Sequence, residues 1–559
     1  MTAGRLLLVN VLLAVALAAG RARAASPPAQ PGEVRFDHPG GFCAEPFSLA
    51  LTSSLERSVV YYTTNGDDPQ PAHARLYAGP IAIAATTIVR ATAYDPGTNP
   101  VGTGARTFLF LPDILGQTGG QSPKNWGADQ GQPVPAHYRM TTAGGGGAAA
   151  RQTVAAALQS LPSLCLIANP ADLFSPETGI YTHPQERGTA WERPVWVEMF
   201  AADGRLEFQH PGGLRIHGGT SRQPDESPKH SFRLVFKPRY GAARLAFPVF
   251  GPGGAQTFDG LVLRAGNNDS WLTSRGEDRR RADYLRDEWM RRSMRDMGHP
   301  SARGGFVQLY LNGLYWGLYN LCEQPGPDLL AADSAVAGSG FDVRKAAKLE
   351  AGDEVAWNQM MALANAGVSD DRSYEAISGL LNLPELADYL ILNFYAGNSD
   401  WDRSANWVAI RPRTPGGRFQ FLVWDGEGTL GNPGADTLDF DDDESPPRLF
   451  HQLAENAAFR RLFAARAQRL LFPGGPLAPE AGADRQRALA GLIAPALPAE
   501  AARWGTYRRE VRPYKTGPYE VYTVETHWQP EVNRLLTAYF PQRRGVLLDQ
   551  FRARGLFAD

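Results

Sequence analysis

The chain has 559 residues, 43% of them hydrophobic and 20% charged, with a formal net charge of −2. That length admits two to four domains, and the near-neutral charge offers no bulk field to nucleic acid or to an anionic membrane surface. Three cysteines, Cys43, Cys165 and Cys322, permit at most one disulfide within the chain, and no CxxC is present, which removes zinc ribbons and thioredoxin-like redox chemistry.

The first stretch, "MTAGRLLLVNVLLAVALAAGRARA", sets Arg5 ahead of an apolar run from Leu6 to Ala19, with small residues at Ala22 and Ala24. This is the pattern of a secretory signal peptide over residues 1–24, and the run is short for a membrane span. No later segment reaches about twenty apolar residues. The expectation is a secreted or extracytoplasmic protein with no membrane span after signal cleavage. Residues 34–111 hold short β-rich runs such as "FSLALTS", "SVVYYTT" and "ARTFLFL", separated by the turn signals "NGDDP" and "DPGTNP". They predict a small all-β, Ig-like sandwich. Residues 112–157, rich in Gly, Gln and Pro, are expected to act as a linker.

From 158 to 559 the pattern is α+β, strand-rich first and helix-rich second. "WERPVWVEMF", "GGLRIHGG", "HSFRLVFK", "FDGLVLRAG" and "GGFVQLYLNGLYWGLYNL" read as strands, with Asn312-Gly313 as a two-residue hairpin turn. "DYLRDEWMRRSMRDMG" reads as an amphipathic helix closed by Gly298. "DEVAWNQMMALANAG", "LPELADYLILNFYAG" and several later segments read as further helices.

Three polar motifs sit around this change-over. In "GGLRIHGGTSRQPDESPKHSFRLVFKPRYG" the clustered glycines allow close backbone approach to a ligand, and Arg215, Ser221, Arg222 and Lys229 supply cationic or hydroxyl donors for phosphate. A glycine-rich hairpin with a solvated basic edge has the same pattern, and no GxxxxGK[ST] is present. In "NSDWDRSANW", Asp400 precedes Asn406 by six residues, close to the five that separate base and metal-binding Asn in a protein-kinase catalytic loop. Asx-turn chemistry at a helix end is the alternative. In "FQFLVWDGEGTLG" an apolar strand delivers Asp425 and Glu427 into a Gly-containing turn, which suits a divalent metal, a glycosidase carboxylate pair or a plain acidic turn. The run "DFDDDES" from Asp439 to Ser445 reads as a solvated acidic loop, with calcium binding as the alternative.

Two resemblances order these readings. "VVYYTTNGDDPQP" and "LYAGPIAIAATTIVRATAYD" resemble the β-sandwich module of the C-terminal domain of chitobiase and β-hexosaminidase, which implies an accessory module. The strings "GIYTHPQERGTAWERPVWVE", "GLRIHGGTSRQPDESPKHSFRLVFKPRYG", "YLRDEW", "VQLYLNGLYWGLYNLCEQ", "GNSDWDRSANW" and "FLVWDGEGTLG" resemble the CotH kinases over about residues 162–557. That resemblance implies a bilobal, atypical kinase-like domain with a strand-rich lobe followed by a helical one. It implies ATP and Mg2+, or Mn2+ in its place, and transfer to Ser or Thr of a protein substrate at or beyond the cell surface, with no nucleic acid involved. On the same ground Asp400, with Asp402 as its rival, is the catalytic base, and Asn406, Asp425 and Glu427 are metal ligands. Lys229 is the nucleotide-phosphate lysine, assisted by Arg215, Ser221 and Arg222. Glu288 and Glu323 are equal candidates for its carboxylate partner. Where many family members read "WDxD", this chain has Glu427, and a non-catalytic scaffold that keeps the fold stays open beside the kinase. A carbohydrate-active protein, suggested by the sandwich module and the carboxylate pairs, stays open as well.

Overall fold

In a computed structural model the described residues are 33–558, apart from 98, 121, 142–145, 252, 327–328, 330–339, 403–405, 443 and 514–515. The signal-like stretch 1–24 lies outside them. Nine short strands between Val34 and Leu109 form the N-terminal unit, in which a five-stranded sheet and two strand pairs share one core around Leu49, Val60, Val89 and Phe108. This unit is seated on the rest of the chain. The Thr107 amide donates to the fully buried Glu198 at 2.9 Å, and Arg106 lies 3.5 Å from the same carboxylate.

The stretch expected as a linker is part of the packed structure. It carries helices at Leu111–Leu115 and Ala148–Leu158 and a strand pair, Asn125–Asp129 with Gln132–Pro135. Trp126 and Val134 from this pair, and Tyr138 just after it, lie in the same core as Trp316 and Trp504. Its Gly and Pro content marks turns between short elements, and the few large apolar residues among them are enough to anchor it.

Seven strands then close a barrel: β1 Ser163–Ile167, β2 Arg193–Phe200, β3 Leu206–His217, β4 Ser231–Val235, β5 Gly260–Arg264, β6 Gly304–Leu311 and β7 Leu314–Glu323. Their order is β1-β2-β3-β4-β5-β7-β6, and a parallel pairing of β6 with β1 completes the ring. Period-two alternation sorts the side chains. Leu214, Ile216, Phe232, Leu234, Leu261 and Leu263 point into the barrel, while Val262 and Cys322 point out. The hairpin turn is the one expected, with Asn312 at φ 48° and Gly313 at φ 78°. All three cysteines are free.

Between β5 and β6 runs helix α1, Arg286–Asp296, and after the barrel comes a mostly helical unit. A four-stranded sheet stands between the two, formed by β8 Phe341–Lys345, β9 Lys348–Ala351, β10 Trp407–Pro412 and β11 Gln420–Val423 in the order β9-β8-β10-β11. Val343, Val408, Leu422 and Trp424 of this sheet pack on the outward Val262 and Cys322 of the barrel. Helix α2, Leu383–Ala396, is buried along nearly its whole length, and helix α3, Leu497–Trp504, returns to the barrel. Among the described residues no helix is long and apolar enough to cross a membrane.

Candidate active site

Helix α2 ends at Gly397, whose φ of 56° gives the left-handed turn that stops a helix. The next residue begins the polar loop. Asn398 Oδ1 accepts the Asp400 amide at 3.1 Å, and its Nδ2 donates to Asn393 Oδ1 at 2.9 Å. Trp401 is fully buried edge-on against Tyr389 and Phe394, and Trp407 stacks on Trp357 with ring centres 5.5 Å apart. The two tryptophans pin the loop while Asp400 and Asp402 remain half-buried. Asn406 takes φ 66° and donates from Nδ2 to the Asp400 carbonyl at 2.8 Å.

The register of β10 with β11, Trp407 opposite Val423, sets Asn406 beside Trp424 and next to Asp425. A second tie joins the segments where the Ser399 amide donates to the Gly428 carbonyl at 3.1 Å. A Cβ on Gly428 would stand 3.3 Å from Ser399 Oγ and 3.6 Å from Asp400 Cβ, so the two loops touch at van der Waals distance. The structure thus brings Asp400, Asn406 and Asp425 to one corner.

The turn itself is fixed from α1. The Gly426 amide donates to Asp287 Oδ1 at 2.9 Å, and Thr429 Oγ1 donates to the Gly426 carbonyl at 2.8 Å. Asp425 sits at φ 62°, a conformation that costs a non-glycine residue on the order of 1 kcal/mol and that the turn holds. Its carboxylate is 38% exposed, whereas Glu427 is buried. Both are paired with Arg264 at the end of β5, which is 2.7 Å from Glu427 and 3.1 Å from Asp287 and also bonds Asp425. Burial works against the charge of Arg264, but the three carboxylates hold it well above the usual guanidinium range. Burial pushes Glu427 up, with Asp425 and Asp287 adding to the rise and Arg264 opposing it. Arg264 and Asp287 were missed in the sequence. Strand "GLVLR" running into "AGNND", and the acid pair in "YLRDEW", carry them without any spacing signal that links them to residue 425.

Lys229 lies behind the neighbouring cavity wall, against Leu318 and Tyr284, which line one cavity with Arg264, Asp287 and Glu427. Its ammonium is fully buried, 2.7 Å from Glu500 of α3, and donates to the Leu318 carbonyl at 2.6 Å. Tyr319 faces it at 4.7 Å from ring centre to nitrogen. Burial pulls Lys229 below its ordinary value, against the pull of Glu500. The partner is therefore neither Glu288 nor Glu323. Glu288 is shared among Arg291, Arg292 and Arg295 within α1, and Glu323 accepts the Arg303 amide at 2.8 Å. Glu500 lies 271 residues beyond Lys229, a pairing that only the return of α3 to the barrel creates.

The other expected phosphate donors divide. Arg222 is spent on main-chain carbonyls, those of Pro184 and Glu186 at 2.9 Å and those of Gly218 and Ile216, and burial lowers it to about 10. It braces the glycine-rich turn. Ser221 holds the same turn, its carbonyl 3.2 Å from His230 Nδ1. Arg215 is paired with the buried Glu192, which also takes Lys237 and Arg239, yet it still lines a surface pocket with Arg187, His217 and Arg233. In the acidic run, Asp439 and Asp441 bond Arg554 and Arg448, as a solvated loop would.

Comparison with known families decides the assignment. The family model described as CotH kinase protein matches residues 214–547, more than half of the chain. The chain belongs to the CotH kinase family. The model for the chitobiase/beta-hexosaminidase C-terminal domain matches residues 38–103. No curated protein matches the sequence.

For a CotH kinase the implied groups are a nucleotide and a divalent metal. No three His, Cys, Asp or Glu side chains converge into a cage among the described residues. Magnesium carried by a nucleotide asks for less, since one or two carboxylates join phosphate oxygens and water around it. Asp425, partly exposed at a strand end with Asn406 beside it, fits that sparse requirement. Glu427 has one oxygen on Arg264 and the other on the Asn268 amide at 2.7 Å, a support more than an open ligand.

Proposed function

We propose that this protein is a magnesium-dependent kinase that moves the γ-phosphoryl group of ATP to a Ser or Thr hydroxyl of a protein outside the cytoplasm. The observation that carries this reading is the meeting of Asp400, Asn406 and Asp425 at the shared end of β10 and β11. Phosphoryl transfer demands little covalent work from a protein and much positioning and charge stabilisation. The acceptor oxygen bonds to the γ-phosphorus as the bond from that phosphorus to the β,γ-bridging oxygen breaks, and ADP leaves. Asp400 takes the hydroxyl proton, with Asp402 the rival two residues on. Asp425 and the Asn406 side-chain oxygen would hold the metal, which neutralises phosphate charge, while Glu427 and Arg264 fix the Asp425 carboxylate. Asp400→Asn and Asp425→Asn are each expected to lower transfer at least about 100-fold in proteins that remain folded at the assay temperature. Full phosphorylation by both variants would overturn the assignment.

One observation favours a second reading, a surface or scaffold protein that keeps the fold for binding. Arg264 already neutralises the carboxylates a metal would use. Thermal shift with Mg-ATP separates the two, because a ligand of the folded state raises the midpoint and millimolar nucleotide without effect points to the scaffold.

A further inference from the structure

The outer face of β3 and β4 carries an arrangement that folding alone does not explain. Arg215 and Arg233 are directly opposite each other in the ladder, and like charges so placed are destabilising. With Arg187 and His217 they line one pocket, whose wall also includes Gly188 and Trp191. Arg215 has Glu192 as counter-ion. Arg233 forms no ion pair among the described residues, Asp259, Glu350 and Glu192 acting on it only from farther off, and its Nε is buried without a hydrogen-bond partner. Lys345, at the end of β8, reaches the same corner and lies 5.5 Å from the Trp424 ring, without an ion pair among the described residues. His217 lies edge-on to the same tryptophan, its ring 6.3 Å from Trp424. Burial, then Lys345, Arg264, Arg233 and Arg222, hold His217 well below its ordinary value, so the imidazole is neutral and available as a donor. The residue after Trp424 is Asp425.

We propose that Arg233 and Lys345, with Arg215 and His217, form the polyphosphate-binding wall of the nucleotide site, and that Lys229 is a structural brace behind it. The inference rests on the phosphoryl-transfer reading for the identity of the nucleotide. The physical case is its own. Arg233 and Lys345 have carboxylates only beyond ion-pair distance, Glu350 acting on both and Asp425 on Lys345, and a buried unpaired guanidinium N–H beside the Arg215–Arg233 cross-strand pair is costly unless an anion completes it. A guanidinium fork and an ammonium suit phosphate oxygens. The place is right for transfer as well, because phosphates held on Arg233 and Lys345 lie against Trp424 with Asp425 at the next position. Burial lowers Lys345, with Asp425 opposing, which ties the two groups electrostatically. Trp191 and the exposed Arg187 stand at the mouth.

The test uses the purified full chain and three probes in calorimetric titrations: inorganic pyrophosphate without metal, Mg-ATP, and a phosphoserine peptide. Arg233→Gln and Lys345→Gln should each weaken pyrophosphate and Mg-ATP binding about tenfold, and the double variant more, while Arg487→Gln, a charge loss at a distant exposed site, leaves both unchanged. Melting temperatures of the variants confirm that they are folded, and a rise in midpoint is expected because like-charge repulsion is relieved. Unchanged pyrophosphate and ATP affinity in the double variant overturns the proposal. So does a loss confined to the phosphoserine peptide, which would assign the pocket to the acceptor protein. Asp425→Asn distinguishes the two levels, since it should abolish transfer yet leave metal-free pyrophosphate binding intact. Pyrophosphate binding that depends on Arg233, in a protein for which Asp425→Asn changes no activity, would remove the kinase reading and keep the anion pocket.

Discussion

The Lys229–Glu500 pair gives the sharpest stability prediction. Glu500 Oε1 accepts Lys229 Nζ at 2.7 Å, its Oε2 accepts the Leu318 amide at 2.7 Å, and both side chains are fully buried. Glu500→Gln preserves shape but offers one acceptor oxygen where two are used, and it leaves the ammonium without a counter-charge. Breaking one side of a buried ion pair costs about 3–5 kcal/mol. For a cooperative unit the size of the barrel with its packed helices, that is roughly 6–20 °C in melting temperature. Lys229→Met should cost a similar amount by stranding the carboxylate. The double variant Lys229→Met/Glu500→Gln should lose less than either single one, because a glutamine amide can meet both polar groups of Leu318. The assay is thermal and urea unfolding of all four proteins as a double-mutant cycle. A loss below about 1 kcal/mol for Glu500→Gln would refute the brace. So would a Lys229→Met protein with a normal midpoint and weakened ATP binding, which would restore Lys229 as a phosphate ligand.

Three further outcomes follow from the same structure. Glu198, buried where the sandwich meets the barrel, is raised to about 7 by burial, against Arg106 and the Thr107 amide. The folded state therefore holds its proton through the interval from 4.5 to about 7 in which the unfolded chain has released it. Stability falls as pH rises across that window, by about 3 kcal/mol in all, and Glu198→Gln should flatten the slope in melts run from pH 4.5 to 8; a wild-type midpoint that rises over this range contradicts it. Gly317 sits at φ 131°, and a Cβ there would stand 2.7 Å from Glu500 Oε2 and 3.0 Å from Lys229 Cε, so Gly317→Ala should destabilise by about 1–3 kcal/mol or more in urea titrations. Asp287→Ala takes one carboxylate from Arg264 and Arg291, which keep Glu427 and Glu288, and frees the Gly426 amide, and both stability and phosphoryl transfer should drop, the first by about 1–3 kcal/mol; retention of either would detach α1 from the site.

What the sequence determined by itself is local. The apolar, β-rich runs "FRLVF" and "LVLR" read directly as strands, because strand propensity needs only neighbours, while their closure into a barrel is tertiary. The Asn312-Gly313 turn and the left-handed stop at Gly397 are legible from residue type. That "NSDWDRSANW" and "VWDGE" belong to one site is implied only by the family resemblance, and the pairing of β10 with β11 is what brings their ends together. The tertiary structure alone decided the charges. Lys229, whose expected carboxylate partner is Glu288 or Glu323, meets Glu500 across 271 residues, while Arg264 and Arg233, silent in pattern, reach the carboxylates and the open pocket. A charge carries no periodicity. Its partner is set by which chain segments the barrel closure and the returning helix place beside it, and burial then makes that choice worth several kcal/mol.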